Sequence, residues 1–157
     1  MALIRLNNQS LTAVSALPAG LDTGKVLQVV QQTSTTNVNH NNSTAEADVY
    51  PAVTITPSST NNKILVMHSA GGMVANQTDG IGFKLYRGTT NIWYQSRWGY
   101  TDDSGWKPIP FVMQFLDTPA TTSATTYKWV IYAGAANGMI WHNNSGTAMS
   151  IAIEIAG

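Results

Sequence analysis

The chain contains no cysteine. That excludes disulfides, thiolate nucleophiles and zinc sites built on sulfur, and it points to assembly in a reducing cytoplasm or to stability gained by oligomerisation. Charge is scarce as well. Asp, Glu, Lys and Arg make up 10% of the 157 residues, against about 25% in ordinary globular domains. Eight residues of each sign cancel. With no basic stripe to neutralise phosphates, nucleic acid is not an expected partner. No apolar run approaches the roughly 20 residues of a membrane-spanning helix. Residues 1–12 lack the continuous apolar segment of a signal peptide. Neither membrane insertion nor export by that route is expected.

What fills the chain instead is Asn, Ser, Thr and Gly around a hydrophobic content of 43%. That content supports a core, and the length suits one domain burying about 70% of its unfolded surface. Two segments differ in texture. Residues 1–23 read as an N-terminal arm, anchoring or inter-subunit, whose Leu3, Ile4, Leu6, Leu11, Val14, Leu17 and Leu21 are too many apolar side chains for a free tail. A strand or helical turn packed on its own domain is the alternative. Residues 24–157 read as a β-sandwich of jelly-roll type, because short β-branched runs follow one another between Gly, Pro and Asn turns.

The alternation of side chains supplies the faces. Ile81, Phe83 and Leu85 are expected inward, with Gly82, Lys84 and Tyr86 outward. Asn91–Gln95 would pair back across the Arg87-Gly88 turn. Phe111, Met113 and Phe115 alternate with Val112, Gln114 and Leu116, a strand apolar on both faces. Tyr127, Trp129 and Ile131 alternate with Lys128, Val130 and Tyr132 in another strand. Val53–Thr56 and Lys63–Ser69 read as a hairpin closed by Pro57–Asn62, and 32–43 as a loop. In the last strand Met149, Ile151, Ile153 and Ile155 are taken as the core face. The small residues Ala148, Ser150 and Ala152, with Glu154, would then face a partner or a covering loop.

Catalytic chemistry finds little purchase. His40, His68 and His142 show none of the spacings that put two metal ligands on one helix face. Asp102 and Asp103 are adjacent, so they point apart in extended chain and make a poor glycosidase pair. No nucleophile elbow, phosphate loop or dinucleotide fingerprint is present. No cofactor, metal or catalytic residue is expected. The segment 92–106 is richer: Trp93, Tyr94, Trp98, Tyr100 and Trp106 stand beside Arg97 and Asp102. Aromatics with Arg and Asp suit a sugar site or an interface hot spot, and a hairpin with alternate aromatics in the core suits them too.

Leu17-Pro18-Ala19-Gly20, Gly24-Lys25-Val26-Leu27-Gln28-Val29-Val30, the run Thr56-Pro57-Ser58-Ser59-Thr60-Asn61-Asn62-Lys63-Ile64-Leu65-Val66, Leu85-Tyr86-Arg87-Gly88 and the closing Glu154-Ile155-Ala156-Gly157 together form a signature. It resembles small virion structural and tail-fibre-like proteins of tailed bacteriophages, particularly those of marine and cyanobacterial hosts. The resemblance spans nearly the whole chain. It implies a virion component assembled in the host cytoplasm, a homotrimer of β-sandwiches that contacts other tail or capsid proteins. It implies no catalytic residues. The expected role is a surface-exposed fibre or knob contributing to attachment to a host-cell glycan. A capsid decoration protein is the alternative, and a glycan-cleaving depolymerase a more distant one.

Overall fold

The computed structural model describes residues 24–41, 44–75, 77–101, 104–134, 139–142 and 146–157. The arm at 1–23 and the pair Asp102 and Asp103 therefore lie outside the described residues. Among those described there are ten strands and no helix. They are β1 (Val26–Ser34), β2 (Val38–Asn41), β3 (Ala47–Ile55), β4 (Lys63–Ala75), β5 (Gln77–Arg87), β6 (Thr90–Thr101), β7 (Lys107–Asp117), β8 (Thr125–Ala133), β9 (Met139–His142) and β10 (Ala148–Ile155).

All pairings are antiparallel, in two sheets. In the first, β7 lies along one edge of β4 from Ile64 to Val74, while β10 and then β9 share its other edge. Beyond β10 and β9 lie β1 and β2. The short β2 and β9 thus prolong the lanes of β1 and β10, and the lanes run β1-β10-β4-β7. The second sheet runs β3-β8-β5-β6. Counting only the eight principal strands, the orders are first-eighth-third-sixth and second-seventh-fourth-fifth. That is the double Greek key of a jelly roll, as the composition and turn spacing lead one to expect.

The core lies between the sheets. Ile81, Phe83 and Leu85 of β5 are buried, as their alternation leads one to expect, and so are Phe111 and Met113 of β7 and Tyr127, Trp129 and Ile131 of β8. Phe83 and Phe111 meet edge to face across the sandwich at 5.4 Å. Arg87 and Asp117 tie the sheets together: one guanidinium nitrogen lies 3.0 Å from both carboxylate oxygens, and the Tyr127 hydroxyl donates to Oδ2 at 2.7 Å. Gly88 has φ +58 and closes the tight β5–β6 hairpin, where Arg87 pairs with Thr90.

Three expectations are corrected. Part of the polar stretch 32–43 is strand, since β1 runs to Ser34 and β2 follows. Val53–Thr56 and Lys63–Ser69 are not a hairpin: β3 pairs with β8 and β4 with β10, so Pro57–Asn62 crosses from one sheet to the other. The last strand is inverted. Ala148, Ser150, Ala152 and Glu154 are buried, while Met149, Ile151, Ile153 and Ile155 are half-buried on the outside. The inner side of β10 packs against β3 and carries the His68–Ser150 contact, leaving room only for small side chains there.

Glu154 survives in the interior because it is saturated with donors. Its carboxylate accepts from Ser58 N at 2.6 Å, Ser58 Oγ at 2.8 Å, Asn62 Nδ2 at 2.6 Å and Gln28 Nε2 at 2.6 Å. Burial alone would raise its pKa; the hydrogen bonds from Asn62, Gln28 and Ser58 outweigh this and hold it at about 2. Three separate sequence phrases thus converge on one carboxylate. Gly24 N–H donating to Ala156 O and Ala156 N–H donating to Lys25 O close the same corner.

Candidate functional site

The outer face of the β3-β8-β5-β6 sheet is polar and aromatic. Lys84 pairs with Glu46, whose other oxygen accepts from the Tyr86 hydroxyl at 2.8 Å, and Lys128 pairs with Asp48 at 2.9 Å. Next to this belt Tyr94 and Tyr132 stack, with rings 9° from parallel and centroids 6.1 Å apart. The Lys84 ammonium lies 5.9 Å from one ring and 5.5 Å from the other. Hydrogen bonding to Tyr132 and Ser96, with Lys84 nearby, lowers the Tyr94 pKa.

Two local devices make this arrangement. The first is Gly82: a Cβ there would sit 2.1 Å from the Tyr132 ring, so only glycine lets that ring lie flat across the sheet. The second is a bulge in β6. Phe83 pairs with Gln95 and Ile81 with Gly99, so Ser96, Arg97 and Trp98 on β6 face Gly82 alone. Arg97 adopts φ +57 at the apex, a left-handed conformation that costs a non-glycine residue about 1–2 kcal/mol. Bulges of this kind re-aim side chains next to sites. Here the result is an open recess of about 370 Å³, lined chiefly by Tyr94, Tyr132, Arg97, Ser96, Thr44 and Gly80.

The aromatic segment singled out in the sequence does not gather at one place. Tyr94 and Arg97 line the recess. Trp93 turns inward and packs edge-on against Trp129 at 5.6 Å. Trp98 meets the buried Phe83 edge-on at 5.8 Å, while keeping 38% of its surface exposed. Tyr100 is exposed near the end of β6, Trp106 is half-buried before β7, and Asp102 lies outside the described residues. Sequence reading missed Tyr132, which β5 brings beside Tyr94. The signal for it was Gly82, a glycine in an otherwise well-patterned strand.

The histidines form a second cluster, of a different kind. His68 Nε2 lies 2.9 Å from His142 Nε2, and His68 Nδ1 lies 2.8 Å from Ser150 Oγ, which donates to the Pro51 carbonyl at 2.6 Å. Assigning protons from this network, Ser150 uses its own hydrogen on Pro51, so His68 donates from Nδ1 and must accept at Nε2. His142 then donates from Nε2, leaving its Nδ1 buried without a partner. Both rings are neutral. Burial holds His68 at about 3, with His142 adding to the effect, and holds His142 at about 4. Ser150 faces an N–H and not a lone pair, so this is no activated nucleophile. No group of three or more metal-ligating side chains occurs among the described residues.

The outer face of the first sheet is mostly apolar, and its three central rows carry no charge. Three rows cross it: Val29–Ile153–Leu65–Leu116, Gln31–Ile151–Met67–Gln114 and Thr33–Met149–Ser69–Val112. Val29, Val112 and Leu116 are 58%, 57% and 49% exposed. A dimple of about 60 Å³ opens among Met67, Ser69, Val112, Met149 and Ile151.

Neither family models nor curated proteins match the chain. Among solved structures it is similar to the infectious bursal disease virus VP2 subviral particle, at 16% identity and TM-score 0.44, covering 83% of this chain and 33% of that one. Particles of T=1 symmetry derived from the same virus give 16% and 0.47, with 83% and 32% covered. The Gx strain of that virus gives 15% and 0.44, with 86% and 33% covered. The chain spans about a third of the length of these proteins. Likeness of this degree carries no inference about function.

Proposed function

We propose that this protein is a non-enzymatic virion structural component, displayed as a homotrimer on the particle, that attaches to glycans of the host-cell surface through the Tyr94–Tyr132 recess. The resemblance of its sequence phrases to tail-fibre-like phage proteins supports the virion part of this reading. So does the jelly-roll order of its strands, an architecture used by capsid and lectin domains.

The observation that carries the attachment role is the recess itself. A strained arginine, a glycine that admits an aromatic ring and a tyrosine stack with its Tyr94 ring exposed are arranged on the outer face of the sheet. A pyranose presents an apolar face that would lie on the Tyr94 ring, 55% exposed. Arg97, Ser96 and Thr44 at the rim would meet its hydroxyls. An open site of this size binds one sugar weakly. Three sites per trimer and many trimers per particle raise the avidity by orders of magnitude without tighter contacts.

Substituting Tyr94→Ala and, separately, Arg97→Ala tests the role. Each should reduce binding of the purified protein to host cells at least tenfold, with the strand signal in circular dichroism unchanged. Wild-type binding by both variants would refute it.

A further inference from the structure

We propose that the outer face of the β1-β10-β4-β7 sheet is where copies of this chain meet, around an axis parallel to the strands. This rests on the homotrimer reading and assigns the surface that makes it.

The face is apolar where a solvated sheet would be studded with charge. Within its three rows the only polar side chains are Gln31, Gln114, Thr33 and Ser69, with Lys63 at the rim beside Ile155. The other sheet shows what a solvated face looks like in this protein, with Glu46, Asp48, Lys84 and Lys128 side by side. An exposed contiguous apolar patch marks an interaction site. Its neutrality favours one occupant. A surface that meets a copy of itself brings like charges together, and this one has none within its three rows to bring. A charged partner would find nothing here to pair with.

The rows also say how the copies sit. Each row lies at one level along the strands, and rotation about an axis parallel to the strands keeps every row at its own level. Aliphatic ends then meet aliphatic ends, Val29 with Leu116, and amide meets amide, Gln31 with Gln114. An axis perpendicular to the strands would reverse the order and set aliphatic rows against polar ends. A head-to-tail contact from the β1 edge of one copy to the β7 edge of the next makes a closed ring of three when each copy is turned by a third of a revolution. Ile151 and Ile153, on the inner lane β10, then face the axis side of the assembly, and the dimple by Met67 receives a neighbour's side chain.

The absence of native cysteine makes the test clean. Gln31 and Gln114 are exposed and three inter-strand spacings apart, about 14 Å. A disulfide cannot span that distance within one chain, since its Cα atoms must lie within about 7 Å. The double variant Gln31→Cys/Gln114→Cys should therefore give covalent dimers and a closed trimer on mild oxidation, and each single variant should give neither. Met67→Lys should lower the mass in light scattering from trimer to monomer. If Met67→Lys does not fold, the two surface cysteines still decide. A trimeric wild type whose mass survives Met67→Lys, or whose double-cysteine form stays uncrosslinked, overturns the face and leaves the trimer standing. A monomeric wild type at micromolar concentration overturns the trimer reading, and this assignment with it.

Discussion

Acidification should destabilise this fold through two residues, His68 and His142, well before the carboxylates respond. In the folded chain both rings are neutral and committed to the relay that ends on Pro51. Their pKa values are held at about 3 and about 4, against an ordinary 6.5. The unfolded chain binds protons on both as pH falls through 6.5, and the folded chain does not, so stability rises with pH across that window and is lost on descending it. From pH 7 to pH 5 each histidine removes about 2 kcal/mol, and the pair about 4. That is a large share of the 5–15 kcal/mol typical of a domain. With a urea slope of about 2 kcal/mol per molar, the unfolding midpoint should fall by about 2 M. The double variant His68→Gln/His142→Gln, whatever its stability at pH 7, should lose most of this dependence. Equal wild-type midpoints at pH 7 and pH 5, or an equally steep double variant, would refute the reasoning. Glu154 does not confuse the window, because its unfolded form titrates only near 4.5.

Glu154→Gln should cost about 3 kcal/mol or more in urea unfolding at pH 7, because it replaces an acceptor shared by Asn62, Ser58 and Gln28. Glu154 is depressed to about 2, so its contribution is present above pH 4.5 and lost as pH falls towards 2. The two unfolding curves should converge there. Gly82→Ala should displace Tyr132, cost about 1–3 kcal/mol and abolish the near-ultraviolet signal of the stacked tyrosines. Arg97→Gly should act in opposite directions on two assays. Relief of the left-handed backbone should raise stability by about 1 kcal/mol, while cell binding falls.

Much of the fold was legible because alternation with a period of two reports strands and their faces. The half-buried alternation of β5 was read correctly from it, while β7 was read as apolar on both faces with no inner one chosen. Alternation does not say which face is inside when both are apolar or small. In β10 it was resolved by hydrophobicity, and the answer was inverted, because the interior there accepts only Ala, Ser and one hydrogen-bonded carboxylate. Nor does period two name a strand's partner. Val53–Thr56 and Lys63–Ser69 carry a good turn between them, and that turn leads from sheet to sheet. The recess was half visible. Tyr94 and Arg97 stood in the aromatic segment, but Tyr132 lies 38 residues beyond Tyr94 and reaches it only because β5 separates β6 from β8.

The place of β10 sets the order of events on the ribosome. It lies between β1 and β4, which pair with each other nowhere, and its Glu154 closes onto Gln28, 126 residues earlier in the chain. Strands made early must therefore wait. Synthesis proceeds at about 5–20 residues per second, so for several seconds β1 has no lane to join and β4 keeps one edge bare. Bare edges and exposed aliphatic strands are the templates of aggregation. The nascent chain is most vulnerable just before β10 emerges. Truncation inside β10 should yield inclusion bodies, where an equal loss from a peripheral strand would be milder.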